Sequence, residues 1–176
     1  MGSVQCYIAA SLDGYIADRD GGVDWLEPFQ GGDDDYGYEE FFSQLGAIVV
    51  GARTYEQIPD LGGWPYGEVP AWVMTHRDLP RWHGANVTFT SADPGALVAQ
   101  IRREVEGNIW LVGGADVLKQ FVDAGQLDEL ILFVVPVLIG EGIPLFSGVR
   151  GDLRLESATA RGMGLVELRY ALGARS

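Results

Sequence analysis

Two consecutive glycines interrupt the stretch Asn108–Leu118, where an apolar run gives way to an amphipathic segment. The run Ile109–Val112 has the length and residue types of a buried strand, and the apolar spacing over residues 117–122 predicts a helix that ends at Gly125. Glycine permits a sharp turn and a close approach, and the first amides of a helix carry partial positive charge. The junction therefore suits a phosphate group, and it equally fits a tight turn without a ligand.

The known phosphate-binding fingerprints are incomplete at this junction. The third glycine of the pattern G-x-G-x-x-G is missing, and no Gly-Lys-Ser or Gly-Lys-Thr follows the paired glycines. The stretch is therefore neither a complete dinucleotide fingerprint nor a P-loop, and the remaining strand ends have to decide between a ligand site and a plain turn.

Three further predicted strands also end in residues suited to a ligand. They are followed by Ala10-Ser11, by Gly51-Ala52-Arg53-Thr54 and by Thr75-His76-Arg77. If these strands are parallel, their carboxyl ends meet the paired glycines along one edge of the sheet, where α/β proteins bind ligands. Helix amides would then hold a pyrophosphate and the arginines a further phosphate, which indicates a phosphorylated dinucleotide such as NADPH.

Hydrophobic periodicity gives the order strand, helix, strand, helix, strand, strand, helix, strand, helix and three strands. Alternating strands and helices imply crossovers, so we expect an α/β fold with about eight mostly parallel strands and about four flanking helices. Residues 153–156 and 165–170 alternate apolar and polar side chains and predict an antiparallel C-terminal hairpin. No linker or repeat divides residues 1–176, so a single domain is expected.

Composition limits the partners and the compartment. The net charge of −13, with Lys119 as the sole lysine, disfavours binding to nucleic acid and to acidic membranes. The longest apolar run, residues 130–139, is too short to span a bilayer, and no basic stretch precedes the first apolar run as in a secretory signal. The lone Cys6 cannot form an internal disulfide and fits a reducing cytoplasm, and with two histidines it leaves little material for a metal site.

A polar loop follows the first strand and its short apolar continuation. The loop contains Asp18, Gly21 and Gly22 and returns to the body of the protein through Trp25. Loops carry function out of proportion to their length, and one that returns through a tryptophan can close over a ligand as a lid. A simple connection between two elements remains the alternative for this loop.

Residues 33–35 are three acids that precede apolar residues with helical spacing over residues 38–45. Acids before a helix normally cap its N-terminus, which is the role expected of the first two. Asp35 lies three residues before Tyr38 and seven before Phe42, which places its side chain on the inward face. An inward carboxylate at the mouth of a helix is a candidate general acid or substrate anchor, so Asp35 is the predicted catalytic residue.

Five motifs occur in one order along nearly the whole chain: Ser11-Leu12-Asp13-Gly14-Tyr15-Ile16, Asp24-Trp25-Leu26, Gly51-Ala52-Arg53-Thr54-Tyr55-Glu56, Leu111-Val112-Gly113-Gly114, and PVLIGEGIPLF at residues 136–146. Together they resemble the dihydrofolate-reductase-like superfamily. The resemblance is closest to the branch that contains the C-terminal reductase domain of the bifunctional riboflavin-biosynthesis deaminase-reductase. It implies a dihydrofolate-reductase-like sheet of eight strands, an NADPH-dependent hydride transfer and a homodimer, for which residues 136–146 are the candidate interface.

The resemblance also implies roles for individual residues. Ala10 and Ile16 would line the nicotinamide, and the loop from Gly14 to Trp25 would cover the cofactor. Asp35 would match the single active-site carboxylate of the folate enzymes. The pyrophosphate would be held from two sides by Gly113, Gly114, Ala115, Asp116 and Val117 and by Gly51, Arg53 and Thr54. The adenosine ribose and its 2′-phosphate would meet Thr75, His76 and Arg77.

Two departures from the family pattern bear on specificity. Family members usually have Gly-Arg-x-Thr, whereas Arg53 follows Ala52 here, so the preference for NADPH over NADH is left to His76 and Arg77. No lysine or arginine lies between Arg53 and Arg77, where folate enzymes clamp the glutamate tail of dihydrofolate. A buried carboxylate without a cation is costly, so we expect weak dihydrofolate reduction and a poor anchor for a ribityl phosphate.

The leading hypothesis is an NADPH-dependent reductase that transfers a hydride to a small heterocycle, such as a 5-amino-6-ribosylaminouracil-phosphate-like compound, a pterin or a flavin precursor. The cofactor carries the reaction, and the protein aligns the reactants and supplies a proton. Asp35 is the expected proton donor, with Asp13 and Glu39 as alternatives, although the Asp13–Gly14 pair also suits a turn. The competing hypotheses are a nucleotide-binding module or sensor without turnover and a weak dihydrofolate reductase.

Overall fold

The computed structural model describes residues 1–173, apart from the side chains of Pro59 and Leu61. Its α-helices are α1 Tyr38–Ser43, α2 Ala52–Gln57, α3 Pro94–Glu104 and α4 Ala115–Asp123. Its strands are β1 Val4–Ser11, β2 Tyr15–Ala17, β3 Leu45–Gly51, β4 Ala71–Met74, β5 Val87–Thr90, β6 Asn108–Gly113, β7 Glu129–Val135, β8 Ile143–Pro144, β9 Leu153–Ala160 and β10 Val166–Leu172. Short 3-10 segments cover Asp24–Phe29, Ile58–Leu61 and Gly162–Gly164.

Eight strands form one sheet in the order β5-β4-β3-β6-β1-β7-β10-β9. The pairs from β5 through β7 are all parallel, and β10 runs antiparallel to both β7 and β9. β2 and β8 make a separate antiparallel pair outside the sheet. The expected α/β fold, with its mainly parallel eight-stranded sheet, four helices and antiparallel C-terminal hairpin, is confirmed.

Apolar clusters cover the two faces of the sheet. On one face, β1 contributes Val4, Cys6 and Ala10 to a cluster that also contains apolar residues of α3 and α4. On the other face, Tyr7 and Ala9 pack with apolar residues of α1 and α2. Alternation along β1 sends successive side chains to opposite faces, so one strand supports both layers.

Local sequence signals set the bounds of the longest helix. The side chain of Asp93 accepts a hydrogen bond from Ala96 N at 2.9 Å, and Pro94 occupies the first helical turn. α3 ends at Glu104, followed by Gly107 at a φ of 106°. None of the described helices is both long and apolar enough to cross a membrane.

Candidate cofactor and acceptor site

The carboxyl ends of β1, β3, β4 and β6 lie at one edge of the sheet, because these strands run parallel to one another in the same sheet. The segments that follow them are the four junctions singled out in the sequence. Their predicted convergence is therefore confirmed by the strand directions, and it places the candidate site at the carboxyl edge of the sheet.

The junctions after β3 and β6 are in direct contact. A Cβ added to Gly51 would lie 2.9 Å from Val117 Cγ2 and 3.6 Å from both Gly113 O and Gly114 N. A Cβ added to Gly114 would lie 3.4 Å from Thr54 Oγ1. Glycine at these positions lets the two backbones approach and leaves a cradle that any side chain would fill.

At the start of α4, the groups that a ligand could meet belong to the backbone. The Gly113–Gly114 peptide bond is cis, and Gly113 has a φ of 120°, a conformation that favours glycine. Gly114 precedes the helix, which begins at Ala115. Asp116 is exposed in the first turn, whereas the Val117 side chain is buried in the core. Val117 therefore faces the site only through its backbone amide, together with the other first-turn amides.

β1 and β6 are neighbours that pair over a short length. Their register covers Val4↔Ile109 and Gln5↔Trp110, whereas β1 pairs with β7 over seven residues up to Ser11. Beyond Gln5, the Trp110 side chain donates from Nε1 to the carbonyl of Tyr7 at 3.2 Å. The carboxyl-terminal halves of β1 and β6 are thus not paired with each other, and we call this unpaired stretch the gap between β1 and β6.

The predicted nicotinamide residues lie on the α3–α4 side of this gap. Ala10 is buried in that core, and Ile16 is partly buried against it. Ala9 and Val112 instead face the α1–α2 side. Because side chains alternate along β1, the Ala9 side chain, and not that of Ala10, points toward the aromatic residues on the α1–α2 side. The sequence motifs alone did not distinguish these two residues.

The loop after β4 holds the predicted ribose and 2′-phosphate residues. Thr75 Oγ1 accepts a hydrogen bond from Arg77 N at 2.9 Å, and His76 is exposed. The Arg77 guanidinium donates two bonds to Glu56 of α2, at 3.1 Å to Oε1 and 2.9 Å to Oε2. This pairing raises the pKa of Arg77 and lowers the pKa of Glu56. Arg53 is exposed on α2.

The predicted lid is a folded loop. Asp18 Oδ1 accepts from Asp20 N at 2.9 Å and from Gly22 N at 2.8 Å, while Asp18 N donates to Gly22 O. A Cβ on Gly21 would lie 2.4 Å from Gln57 Nε2, so the loop reaches the end of α2. It also borders a cavity of about 330 Å³ lined by Asp18, Arg19, Asp20, Trp25, Ile139 and Glu141.

Trp25 returns the loop to the body of the protein. Its ring packs against the α1–α2 cluster, and its Nε1 is buried without a hydrogen-bond partner among the described residues. A buried N–H that lacks an acceptor is costly, so this donor suits a ligand or an ordered water.

Six rings form an aromatic face on the α1–α2 side of the sheet: Tyr7, Tyr36, Tyr38, Phe41, Trp110 and Phe133. Tyr7 lies at its centre, with ring centroids 4.7 Å from Phe41 and 4.9 Å from Phe133. The Tyr7 hydroxyl donates to Tyr36 O at 3.0 Å. Burial is the largest cause of a raised pKa at Tyr7, and the charges of Glu167 and Asp35 raise it further. Tyr7 therefore stays protonated at neutral pH.

Asp35 does not occupy the inward position expected from helical spacing. Its side chain is exposed, and it accepts hydrogen bonds from Gly37 N at 2.9 Å and Glu39 N at 3.1 Å. Tyr36 and Gly37 have φ values of 56° and 72°, so α1 begins only at Tyr38 and the helical spacing does not extend back to Asp35. The inward orientation was wrong; Asp35 caps the first turn, and its charge still acts on Tyr7.

Asp34 is the more enclosed of the neighbouring acids. It accepts from Tyr36 N at 2.8 Å and from Gly162 N at 3.1 Å, and Arg161 lies 3.9 Å away. The Gly162 and Tyr36 amides, with a smaller contribution from Arg161, lower the pKa of Asp34. Asp34 therefore fastens the loop before α1 to the β9–β10 hairpin. The expectation that it would cap α1 was wrong.

Glu167 is a buried carboxylate that the sequence analysis missed. Its side chain is 3% exposed, and its two oxygens accept from Arg161 Nε at 2.7 Å and Arg169 Nε at 2.6 Å. In the β10 alternation it faces inward, while the neighbouring Val166 is exposed. The two arginines on either side of Glu167 in the sequence were the available signal, because buried carboxylates require such partners.

Asp13, the alternative proton donor, has a structural role. It accepts from Ser11 Oγ at 2.6 Å and from Gly140 N at 2.8 Å, and so joins the loop after β1 to the loop after β7. The Ser11 hydrogen bond is the largest cause of the lowered pKa of Asp13. A lowered pKa makes this carboxyl a poor proton donor, in agreement with the turn role considered for it.

A family model described as the RibD C-terminal domain matches residues 3–166. The chain belongs to the RibD C-terminal domain family. Family membership and the dihydrofolate-reductase-like fold support a reductase of the riboflavin or folate type. No group of histidine, cysteine or acidic residues in the described part of this RibD C-terminal domain could hold a metal ion.

Two curated relatives resemble this RibD C-terminal domain in sequence. The uncharacterized protein YwjB of Bacillus subtilis (strain 168) is 36% identical over 166 residues, which cover 93% of this chain and 94% of that protein. The dihydrofolate reductase HdrB of Haloferax volcanii is 32% identical over 127 residues, which cover 71% of this chain and 61% of that enzyme.

Solved structures show the same fold. A putative riboflavin biosynthesis protein from Shewanella sp. PV-4 has a TM-score of 0.82 at 23% identity and covers 97% of this chain and 99% of its own. The diaminohydroxyphosphoribosylaminopyrimidine deaminase/5-amino-6-(5-phosphoribosylamino)uracil reductase of Thermotoga maritima scores 0.73 at 16% identity, over 98% of this chain and 57% of its own. Dihydrofolate reductase from Enterococcus faecalis, complexed with NADP(H), has a TM-score of 0.66 at 17% identity. The match covers 97% of this chain and 96% of that enzyme.

Proposed function

We propose that the protein is an NADPH-dependent reductase that transfers a hydride to a small heterocycle related to pterins, aminouracils or flavin precursors. The observation that carries the proposal is the contact between Gly51 and the Gly113–Gly114 junction at the carboxyl edge of the sheet. Two backbones that approach this closely leave unsatisfied helix amides beside a cradle free of side chains, which fits a pyrophosphate. The solved dihydrofolate reductase with NADP(H) shares this fold.

The chain offers groups for each part of NADPH. The first-turn amides of α4, from Ala115 to Val117, would hold the pyrophosphate, and Thr54 would add a hydroxyl from the other side. α2 contains six residues, so its N-terminus contributes less than that of α4. The adenosine ribose and its 2′-phosphate would meet Thr75, His76 and Arg77, with Arg77 exchanging Glu56 for the phosphate. Arg53 would add a long-range positive charge.

The gap between β1 and β6 is where the chain would receive the nicotinamide, beside Ala9, Ala10 and Ile16. NADPH, when bound, supplies the hydride. The protein would hold the acceptor ring on the aromatic face and exclude water with the loop that contains Asp18, Gly21, Gly22 and Trp25. The unpartnered Trp25 Nε1 would donate to the bound reactants or to a water beside them.

Asp35 is the proposed proton donor. Its carboxylate lies close enough to the aromatic face for its charge to act on Tyr7, and its side chain is open to solvent. Glu39, exposed in the first turn of α1, is the alternative. Asp13 is set aside because its hydrogen bonds lower its pKa.

A nucleotide-binding module without turnover is the second candidate. The lack of any lysine or arginine between Arg53 and Arg77 favours it, because that segment offers no cation to hold an acidic acceptor. A weak dihydrofolate reductase is a variant of the first proposal. Its activity would be weak because the segment between Arg53 and Arg77 has no basic residue to hold the glutamate tail of dihydrofolate.

We also propose that the protein works in the cytoplasm as a single-domain subunit of a homodimer. Leu138 and Phe146 are exposed apolar side chains within the 136–146 segment, and they support an interface there. Sedimentation at micromolar concentration should give the mass of a dimer. A Leu138→Asp variant should sediment as a monomer, whereas Leu155→Asp, at an exposed apolar position of β9, should not. A wild-type monomer would exclude the dimer.

The proposed activity can be tested by titrating the protein with NADPH while following tryptophan fluorescence, and then following oxidation of the coenzyme with pterin and aminouracil acceptors. We expect saturable quenching and turnover, and we expect Asp35→Asn to lower kcat on the order of 10²-fold. Asp33→Asn, at an exposed neighbouring acid, is the matched control and should retain activity. Binding without turnover would favour the module, and absence of saturable binding up to millimolar NADPH would reject both.

A further inference from the structure

The aromatic face carries an unusual distribution of charge. Three acids, Asp35, Glu39 and Glu40, are exposed on or just before α1, the helix that supplies two of its rings, and we call them the acidic rim. Of the three, Asp35 is the one whose charge acts on Tyr7. Arg161, beside Asp34, is the cation whose charge acts on Tyr7 at the centre of the face. Whether an anionic acceptor can bind there therefore depends on whether the Arg161 guanidinium is free to meet it.

The Arg161 guanidinium is committed to partners within the protein. Its Nε donates to Glu167 at 2.7 Å, and its NH1 lies 3.9 Å from Asp34 Oδ1. Glu167 is buried and cannot exchange this contact for water without a cost in desolvation. These contacts raise the pKa of Arg161, with the Glu167 hydrogen bond as the largest cause. Glu167 is shared with Arg169, which also meets Glu129 at 3.5 Å, so the two guanidiniums face the three carboxylates of Glu167, Asp34 and Glu129. Their positive charge is thereby balanced before any ligand arrives.

Other cations are held elsewhere by partners of their own. Arg77 pairs with Glu56, Arg19 with Glu141 and Lys119 with Asp123. Arg81 lies over the Phe89 ring and donates to the carbonyl of Val87. The rings of the aromatic face therefore border fixed carboxylates and a neutralised guanidinium. An anionic group placed there would lose hydration and gain like-charge neighbours.

We infer that the acceptor is a flat heterocycle without a negatively charged substituent, and that Glu167 and Asp34 enforce this selectivity by engaging the Arg161 guanidinium. This inference rests on the proposed reductase function and narrows its substrate class. An uncharged ring gains stacking and apolar contact from Tyr7 and its neighbours. A protonated ring gains further attraction from the aromatic quadrupoles and the acidic rim. A phosphate or a glutamate tail gains neither.

Matched acceptor pairs test the inference. One pair is a dihydropterin without a side-chain carboxylate and dihydrofolate; the other is a ribosylaminouracil and its 5′-phosphate. Acceptor dissociation constants from tryptophan quenching, and kcat/KM at saturating NADPH, are measured for all four. We expect the uncharged member of each pair to be favoured at least about tenfold, and added salt to reduce the ratio by screening the acidic rim.

Charge-reversal variants separate electrostatics from shape. Glu39→Lys on the rim should reduce the preference for the uncharged member several-fold, and Glu104→Lys, with the same charge change on α3, should leave it unaltered. Equal or tighter binding of the anionic members, or no binding of any acceptor by a protein that binds NADPH, would overturn the inference. Failure to bind NADPH would instead reject the proposed function. The two failures can be told apart, because the dissociation constants of the acceptors are measured independently of that of NADPH.

Discussion

Gly51 and Val117 lie so close that a Cβ on Gly51 would be 2.9 Å from Val117 Cγ2. The contact joins the end of β3 to the first turn of α4 and brings both predicted phosphate junctions together. Gly51 has a φ of −77°, which any residue can adopt, so the requirement for glycine here is one of space and not of backbone strain.

Substitution of Gly51 tests this contact. Gly51→Ala should lower the free energy of unfolding by about 1–3 kcal/mol, because the added methyl group overpacks the contact with Val117. Val117→Ala removes the opposing methyl groups, so the double variant should lose less than the sum of the two single losses. Urea unfolding of the four proteins measures the coupling. Additive losses would show that the two residues do not meet.

Arg77 provides a test of coenzyme preference. Because the 2′-phosphate distinguishes NADPH from NADH, Arg77→Ala should weaken NADPH binding about tenfold, the value of one charge-assisted hydrogen bond, and leave NADH binding nearly unchanged. Arg103→Ala, at an exposed arginine of α3, is the control. Calorimetric titration with both coenzymes gives the ratio. An equal loss for NADPH and NADH would assign Arg77 a structural role through Glu56 alone.

Glu167 should contribute far more to stability than an exposed acid of the same hairpin. Glu167→Gln should lower the free energy of unfolding by about 2–3 kcal/mol, somewhat below the value for a fully buried pair because both arginine partners are partly exposed. Glu156→Gln breaks an exposed pair with Arg154 and should change it by less than about 0.5 kcal/mol. Similar losses in chemical denaturation of the two variants would contradict the assignment of Glu167 as a buried anchor.

Asp34 should make stability depend on acid pH. Its pKa is lower in the folded than in the unfolded protein, so its contribution is complete above the unfolded value of about 4 and is lost as the pH falls through the folded value. Wild-type stability should therefore decline more steeply than that of Asp34→Asn below about pH 4. Asp33→Asn is the control. Parallel pH profiles for wild type and Asp34→Asn would show that Asp34 gains nothing on folding.

The parallel sheet and its shared edge could be predicted because they follow from local patterns. Apolar runs of strand length alternate with helical spacing, and crossovers between them enforce parallel pairing. The glycines of the two junctions were equally visible, since the turn and the close approach both require them. The contact between Gly51 and Val117 then follows from the adjacency of β3 and β6.

The predictions from sequence were wrong or incomplete where backbone conformation, or a partner from another part of the structure, determines the position of a side chain. The φ of 56° at Tyr36 ends the helical spacing before Asp35, and no pattern in the sequence signals it. Glu167 pairs with Arg161 from the turn before β10 and with Arg169 two residues along the same strand. The sequence shows these arginines but not that the carboxylate between them is buried. Arg77 meets Glu56 from another element, and spacing along the chain does not reveal that pairing.

A crystal structure of the protein with NADPH tests the central claim most directly, namely that the ends of β1, β3 and β6 form one coenzyme site. We predict the pyrophosphate against the amides of Ala115–Val117 and beside Gly51, with the nicotinamide in the gap between β1 and β6. A coenzyme bound with its pyrophosphate away from both glycine junctions, or in the cavity beside Trp25, would contradict the claim.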